Sequence, residues 1–216
     1  MLLLLTLLTK VLKMGVSERK LRDLEKIRLQ IIEQSWLIVQ EEGWQALSIR
    51  KIADAIEYSV PVIYKHFENK DAIVAYFTKV GFSLLATQLA SAVDSSRTAD
   101  LNLYHLATSY WKFAFENKKY YEIMFGLGIP QCEVVNSIKE MKVASDVMLN
   151  CISKCIEENQ VEQIDLFLKF KTFWSILHGI ITIEFISNTA TDPEVVSPIL
   201  TDAIEGFIIS LKHHNK

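Results

Sequence analysis

Between Ser17 and Glu42 the apolar residues Leu24, Ile27, Ile31 and Ile38, flanked by Trp36 and Val39, recur every three to four positions. That period predicts one amphipathic helix, closed at Gly43 by a left-handed cap. Two much shorter helices follow. Ser48 has the chemistry of an N-cap for a helix through Ile49, Ile52, Ala53 and Ile56. Ser59 caps the next, about Val60 to Phe67, where Pro61 sits in the first turn and its missing N–H costs nothing. Two such helices joined by Glu57-Tyr58-Ser59 predict a helix-turn-helix, whose second helix can lie in a major groove. Ile63 and Phe67 then face Ile52 and Ala53, leaving Val60, Pro61, Tyr64 and Lys65 outward. A longer helix runs from Glu68-Asn69-Lys70-Asp71 to about Ala92, with Lys70 near its N-terminus, where exposed N–H groups favour a phosphate.

Beyond Asp94-Ser95-Ser96-Arg97, the expected domain joint, the pattern predicts five more helices, over about 100–117, 118–126, 131–158, 163–189 and 193–212. Breaks are expected at Asn117, Gly126 to Pro130, Glu157 to Gln160 and Asn188 to Pro193. No strand pattern competes, so the fold class is all-α. Seven Gly and four Pro in 216 residues argue against a turn-rich β protein and a glycine-looped nucleotide binder.

Charge adds little by itself. The net charge is −3, so the chain is no basic nucleic-acid coat. Residues 1–80 hold 12 Lys/Arg against 10 Asp/Glu, and residues 81–216 hold 11 against 16. A mildly basic front on an acidic remainder permits a polyanion-binding module without requiring one. Cys132, Cys151 and Cys155 are too few for a disulfide framework. Cys151 and Cys155 share a helix face, but no second pair at ligand spacing completes a metal site, so neither metal nor cofactor is expected. Met1 to Leu12 is apolar, yet no positive side chain precedes it and no small-x-small cleavage site follows, so it does not read as a signal peptide. It is also too short to span a bilayer, and Met14 is an alternative start. Later apolar clusters look interrupted by charges, so no membrane span is expected.

The stretch Leu47-Ser48-Ile49-Arg50-Lys51-Ile52-Ala53-Asp54-Ala55, followed by Ser59, Ile63-Tyr64-Lys65-His66-Phe67, Asn69-Lys70 and Asp71-Ala72-Ile73, resembles the tetracycline-repressor (TetR) family of bacterial transcriptional regulators. The resemblance is carried from about Lys26 to Phe82. It implies an apolar N-terminal extension over 1–16, a three-helix DNA-binding domain over 17–82 with its helix-turn-helix at about 47–67, and a larger helical effector-binding and dimerisation domain over 83–216. It also implies that Ser48, Arg50, Val60, Pro61, Tyr64, Lys65, His66 and Lys70 contact DNA. Chemistry divides their roles. Ser48, Tyr64, His66 and Lys70 can hydrogen-bond phosphates, Val60 and Pro61 can touch thymine methyls, and Arg50 is the best candidate for a bidentate guanine contact. Arg50 and Lys65 as plain solvated charges, and Tyr64 as a packing residue, are the competing readings.

Two departures stand out. Glu57 occupies the place of the family's turn glycine, with Tyr58 after it, so a differently bent turn is expected. Val62 replaces the usual hydroxyl residue, and with Val60 and Pro61 it leaves the recognition helix poor in donors, so that Arg50 and DNA shape carry more of the specificity.

Tyr110 to Asn117, Tyr120 to Gly126, and Trp174 with His178-Gly179 are similar to a TetR subgroup named for its Trp-His-Gly signature. That similarity implies a cavity lined by Tyr121, Met124, Phe125, Phe170, Trp174 and His178, each of which could equally be core. Ile176, Ile180, Ile183, Ile204, Phe207, Ile208 and Leu211 on the last two helices imply, with the family, a homodimer through a four-helix contact. The function implied is a cytoplasmic repressor released from a near-palindromic double-stranded DNA operator by an unknown small-molecule effector. The alternatives are a helical interaction protein that has lost DNA binding and an enzyme on a helical scaffold. For the enzyme, no phosphate loop, metal pair or nucleophile motif appears in the sequence.

Overall fold

The computed structural model describes residues 2–126, 139–161, 164–187 and 197–212, with side chains described from residue 18 onward. All regular structure among these residues is helical: α1 (Leu2–Glu42), a 3-10 turn (Trp44–Ala46), α2 (Ile49–Ala55), α3 (Val60–Tyr64), α4 (Lys70–Ala92), α5 (Ala99–Glu116), α6 (Lys118–Met124), α7 (Lys139–Glu158), α8 (Leu166–Ser187) and α9 (Pro198–Lys212). Contacts divide the chain into two units, Met1–Val74 and Ala75–Lys216.

In the first unit the three-to-four period of α1 does the burying. Ile31, Ile38 and Val39 are sequestered with Trp44, Leu47, Ile52, Ala53, Ile63, Phe67 and Ile73. Each such side chain contributes roughly 1.5–3 kcal/mol by leaving water. Leu24, upstream, is exposed, and the helix nevertheless continues back to Leu2 rather than beginning at Ser17. Gly43 ends α1 through its N–H to the Val39 carbonyl (2.9 Å), but not as a left-handed cap. Its φ of 85° and ψ of 170° lie in an extended region that is essentially open to glycine alone.

α5 is the spine of the second unit and packs against α6, α7, α8 and α9. Leu103, Leu106, Tyr110, Trp111, Phe113 and Ala114 are fully buried along it. Its N-terminus is held by the Thr98 cap and by Glu158 of α7, whose carboxylate accepts from the Ala99 N–H at 2.9 Å. Asp94 to Arg97 is a tight turn within this unit and not a joint. Asp94 Oδ1 accepts from the Ser96 N–H, and Asn102 clasps the Asp94 backbone on both its N–H and carbonyl sides. The division instead falls within α4, earlier than position 82, because Phe77 already lies against Tyr120 and Gly81 against Met124.

Apart from the start of α1, helix ends agree with the sequence to within a few residues wherever they are described. The breaks expected at 127–130 and 188–193, the first turns of the helices expected at 131 and 193, and Cys132 lie outside the described residues. One expectation is corrected: α4 and α8 are each long and apolar enough to cross a membrane by composition. In α8 the charges, Lys169, Lys171 and Glu184, cluster near the ends and leave the middle uninterrupted. Half of the α4 stretch is buried in the protein, whereas most of the α8 stretch is not.

Candidate nucleic-acid interface and effector cleft

Of the two caps the sequence announces for the helix-turn-helix, one is made. Ser48 Oγ accepts from the Lys51 N–H at 3.2 Å and starts α2, whereas Ser59 holds the N-cap position of α3 without a side-chain hydrogen bond, with Pro61 in the first turn. Ile52, Ala53, Ile63 and Phe67 form the buried seam between the two helices. Glu57, in the place of the family's turn glycine, holds φ at 58°, the left-handed region that a side chain enters only at a cost.

The outward set is largely as expected. Ser48, Arg50, Pro61, Tyr64 and Lys65 are exposed and Val60 is half-buried. Tyr64, 53% exposed, is not a packing residue. Two residues are held more tightly than the sequence suggested. Lys70 Nζ donates to the Trp44 carbonyl at 3.2 Å, bracing α4 against the 3-10 turn while two of its protons stay uncommitted. His66 is half-buried, and its Nε2 is buried without a hydrogen-bond partner. Burial, reinforced by Arg28, holds its pKa below the ordinary value, so the ring is neutral and its Nε2 is not directed at a phosphate. Arg28 also stacks on the Phe67 ring (4.3 Å to the centroid) and donates to the His66 carbonyl at 3.0 Å, fixing the end of α3 against α1. Asn69 Oδ1 accepts from the Ala72 N–H at 2.8 Å and caps α4.

In the second unit a cleft of about 410 Å³ is lined by Phe125, Lys171, Trp174, Ser175, His178 and Thr182. Three of the six residues expected from sequence therefore line it: Phe125, Trp174 and His178. Tyr121, Met124 and Phe170 do not. They are buried behind it, Phe170 stacked on Trp174 (5.4 Å between centroids) and Tyr121 on Phe125 (4.7 Å). Lys171, Ser175 and Thr182 were missed. Extending the three-to-four stripe that runs through Trp174 and His178 along the same helix would have found them.

His178 closes the floor. Tyr121 Oη lies 2.6 Å from its Nδ1 and Tyr110 Oη 3.1 Å from its Nε2, while the Trp174 indole N–H donates to Tyr110 Oη at 3.0 Å. Burial pushes the imidazole down to about 4 and both phenols up, so all three groups are neutral at pH 7. A neutral imidazole has one donor and one acceptor, and the two hydroxyls satisfy both in either tautomer. Cys151 and Cys155 are buried too. Burial raises their thiols to about 11 and about 12, and Cys155 Sγ donates to Asp100 Oδ1 at 3.0 Å, so neither is a ready nucleophile.

These features define an all-helical protein with an N-terminal helix-turn-helix unit and a separate helical unit holding an aromatic cleft. Residues 31–77 match the family model of bacterial regulatory proteins of the tetR family. Residues 103–206 match the tetracyclin repressor-like C-terminal domain, a match that does not show the Trp-His-Gly subgroup. The uncharacterized HTH-type transcriptional regulator YobS of Bacillus subtilis is 25% identical over 187 residues, covering 86% of this chain and 93% of that protein. A tetR-family regulatory protein from Rhodococcus RHA1 superposes with a TM-score of 0.65 at 16% identity, over 87% of this chain and 98% of its own. The regulator FadR of Bacillus subtilis in complex with stearoyl-CoA gives 0.66 at 16%, over 86% and 99%. The chain belongs to the TetR family of transcriptional regulators. It is thus a DNA-binding transcriptional regulator of the helix-turn-helix type.

Proposed function

We propose that this regulator is a cytoplasmic repressor: a homodimer that holds a near-palindromic operator and lets it go when a small molecule enters the cleft of the second unit. The observation that carries the DNA reading is the division of α2 and α3 into a buried apolar seam and an exposed face. That face presents Ser48, Arg50, Pro61, Tyr64 and Lys65 together. Arg50 is assigned the base contact, Ser48, Tyr64, Lys65 and Lys70 the phosphates, and Val60 and Pro61 the apolar contacts.

Dimerisation is supported by α8 and α9, though not by all the residues expected. Ile204, Phe207 and Leu211 are buried within the unit and cannot also face a partner. The apolar surface left over includes Ile183 and Ile186 on α8 and Ile199 and Ile209 on α9, all more than half exposed, with Phe167 and Leu168 exposed nearer the start of α8. Gly179 and Gly206 lie open on the same two helices and leave room for another helix backbone to approach. Paired subunits would present recognition helices about 34–36 Å apart, one turn of duplex.

Release would be a population shift in which the effector favours the state with misplaced recognition helices, a coupling of about 1–3 kcal/mol being sufficient. The cleft residue Phe125 directly follows α6, whose Met124 rests on Gly81 of α4, and α4 runs on to Lys70. The stearoyl-CoA bound by FadR makes an acyl-CoA the alternative effector.

The test is fluorescence anisotropy of the purified protein against DNA upstream of its own gene, at two salt concentrations, beside scrambled DNA. Saturable binding that exceeds the scrambled control and weakens with salt is expected. Replacing Tyr64 and Lys70 by Ala should weaken it and flatten the salt slope. Unchanged affinity removes both residues from the interface, and binding no better than scrambled DNA across selected genomic fragments favours an interaction protein that no longer binds DNA.

A further inference from the structure

α8 divides its residues among three faces. Phe170, Phe173, Leu177 and Ile181 are buried in the core, Gly179, Ile183 and Ile186 are left outward, and the third face lines the cleft. Only the third has free donors beside flat rings. His178 and Trp174 have their polar atoms occupied by the two tyrosines, so toward the cleft they offer ring surface, completed by Phe125 at 4.2 Å from His178 and 6.2 Å from Trp174. The remaining polar lining is Ser175, Thr182 and Lys171.

Those three are uncommitted in a way their neighbours are not. Thr172 and Ser187, on the same helix, turn their hydroxyls back onto the carbonyls of Leu168 and Ile183. Among the described residues neither Ser175 nor Thr182 has a hydrogen-bond partner, and Lys171 has no carboxylate, its ammonium lying over the rings of Phe167 (5.4 Å) and Trp174 (6.0 Å). Among the described residues no acidic side chain lines the cleft.

We propose that the cleft takes a compact aromatic carboxylate, its ring system against Trp174, Phe125 and His178 and its anionic group between the Lys171 ammonium and the Ser175 hydroxyl. This rests on the reading of the cleft as the effector site and adds the chemistry of what enters. A planar ring laid along Trp174 and His178, which are tilted by 40°, meets Phe125 edge to face, since Phe125 stands at 81° and 71° to them, and the three rings offer little hydrogen bonding of their own. An anionic group complements the Lys171 ammonium, which has no carboxylate partner among the described residues. An organic cation would find rings but no counter-charge. About 410 Å³ lies at the small end of small-molecule sites and suits a fused ring with a short substituent better than a whole coenzyme-A thioester.

Titration calorimetry of the full chain with 1-naphthoate, neutral 1-naphthamide and cationic 1-naphthylmethylamine, with stearoyl-CoA as a fourth ligand, tests the assignment. Expected are saturable naphthoate binding, roughly fivefold or more tighter than the amide, and loss of that preference in Lys171→Gln with the amide affinity unchanged. Lys171 is exposed, so an unaltered melting midpoint checks that this variant folds. No saturable naphthoate binding, equal or tighter binding of the amide or amine, or a preference that survives Lys171→Gln overturns the proposal. Operator release separates it from the reading beneath it. Charge-selective naphthoate binding that leaves operator affinity untouched keeps the ligand class and removes the effector role. Release by stearoyl-CoA with none by naphthoate keeps the effector role and removes the ligand class.

Discussion

Glu57 shows how a single residue can conform to a turn that does not suit it. A side chain at φ 58° costs about 1–2 kcal/mol, and a glycine there would remove that strain while adding about 0.5–1 kcal/mol of unfolded-chain entropy. Glu57→Gly should therefore raise the urea midpoint, by the equivalent of up to about 1 kcal/mol. A lowered midpoint would mean that the glutamate side chain holds the turn. His178 supplies the corresponding pH prediction. Its folded pKa of about 4 lies below the ordinary 6.5, so the unfolded chain takes up the proton first as pH falls. Stability on this account is full above 6.5, declines between 6.5 and 4 by about 3 kcal/mol, and is flat below. Denaturant midpoints across that range should fall less steeply in His178→Gln than in the parent; parallel profiles would locate the acid sensitivity elsewhere.

At the scale of elements, Gly81 is what lets α4 and α6 approach closely. A Cβ built on Gly81 would stand 2.6 Å from Met124 Sδ and 3.2 Å from Tyr120 Cβ. Alanine gains about 1 kcal/mol of helix propensity over glycine, but overpacking costs about 1–3 kcal/mol, so Gly81→Ala should lower stability or at best leave it level. Adding Met124→Ala should recover part of the loss, and the double-mutant cycle measures it; strict additivity would refute the contact. The helix-turn-helix was legible at this scale because caps, Pro61 and the Ile52/Ile63 seam are local signals. The tether from Lys70 to the Trp44 carbonyl was not, because a donor's partner across 26 residues leaves no trace in spacing.

For the whole molecule, the question is which apolar residues the fold has consumed. Ile183 and Ile186 are 64% and 78% exposed, so Ile183→Glu with Ile186→Glu should leave each chain folded while splitting the dimer. Sedimentation of the variant should give a monomer with helicity intact, and operator affinity should collapse with the loss of the second half-site. A dimer of unchanged strength would move the interface off α8.

The sequence by itself determined the all-helical class, the helix ends other than the start of α1, the helix-turn-helix and most of its exposed face. Each follows from local periodicity and capping, which act within a turn or two of the chain. Only the tertiary structure decided that Tyr121, Met124 and Phe170 stand behind the cleft while Lys171, Ser175 and Thr182 line it, and that Ile204, Phe207 and Leu211 belong to the core. It also turned the His66 Nε2 inward and closed His178 between two tyrosines. The physical reason is that an amphipathic helix records which residues share a face but not what that face meets. Burial, hydrogen-bond partners and pKa are properties of the neighbour, and the neighbour is brought up by packing between segments far apart in the chain.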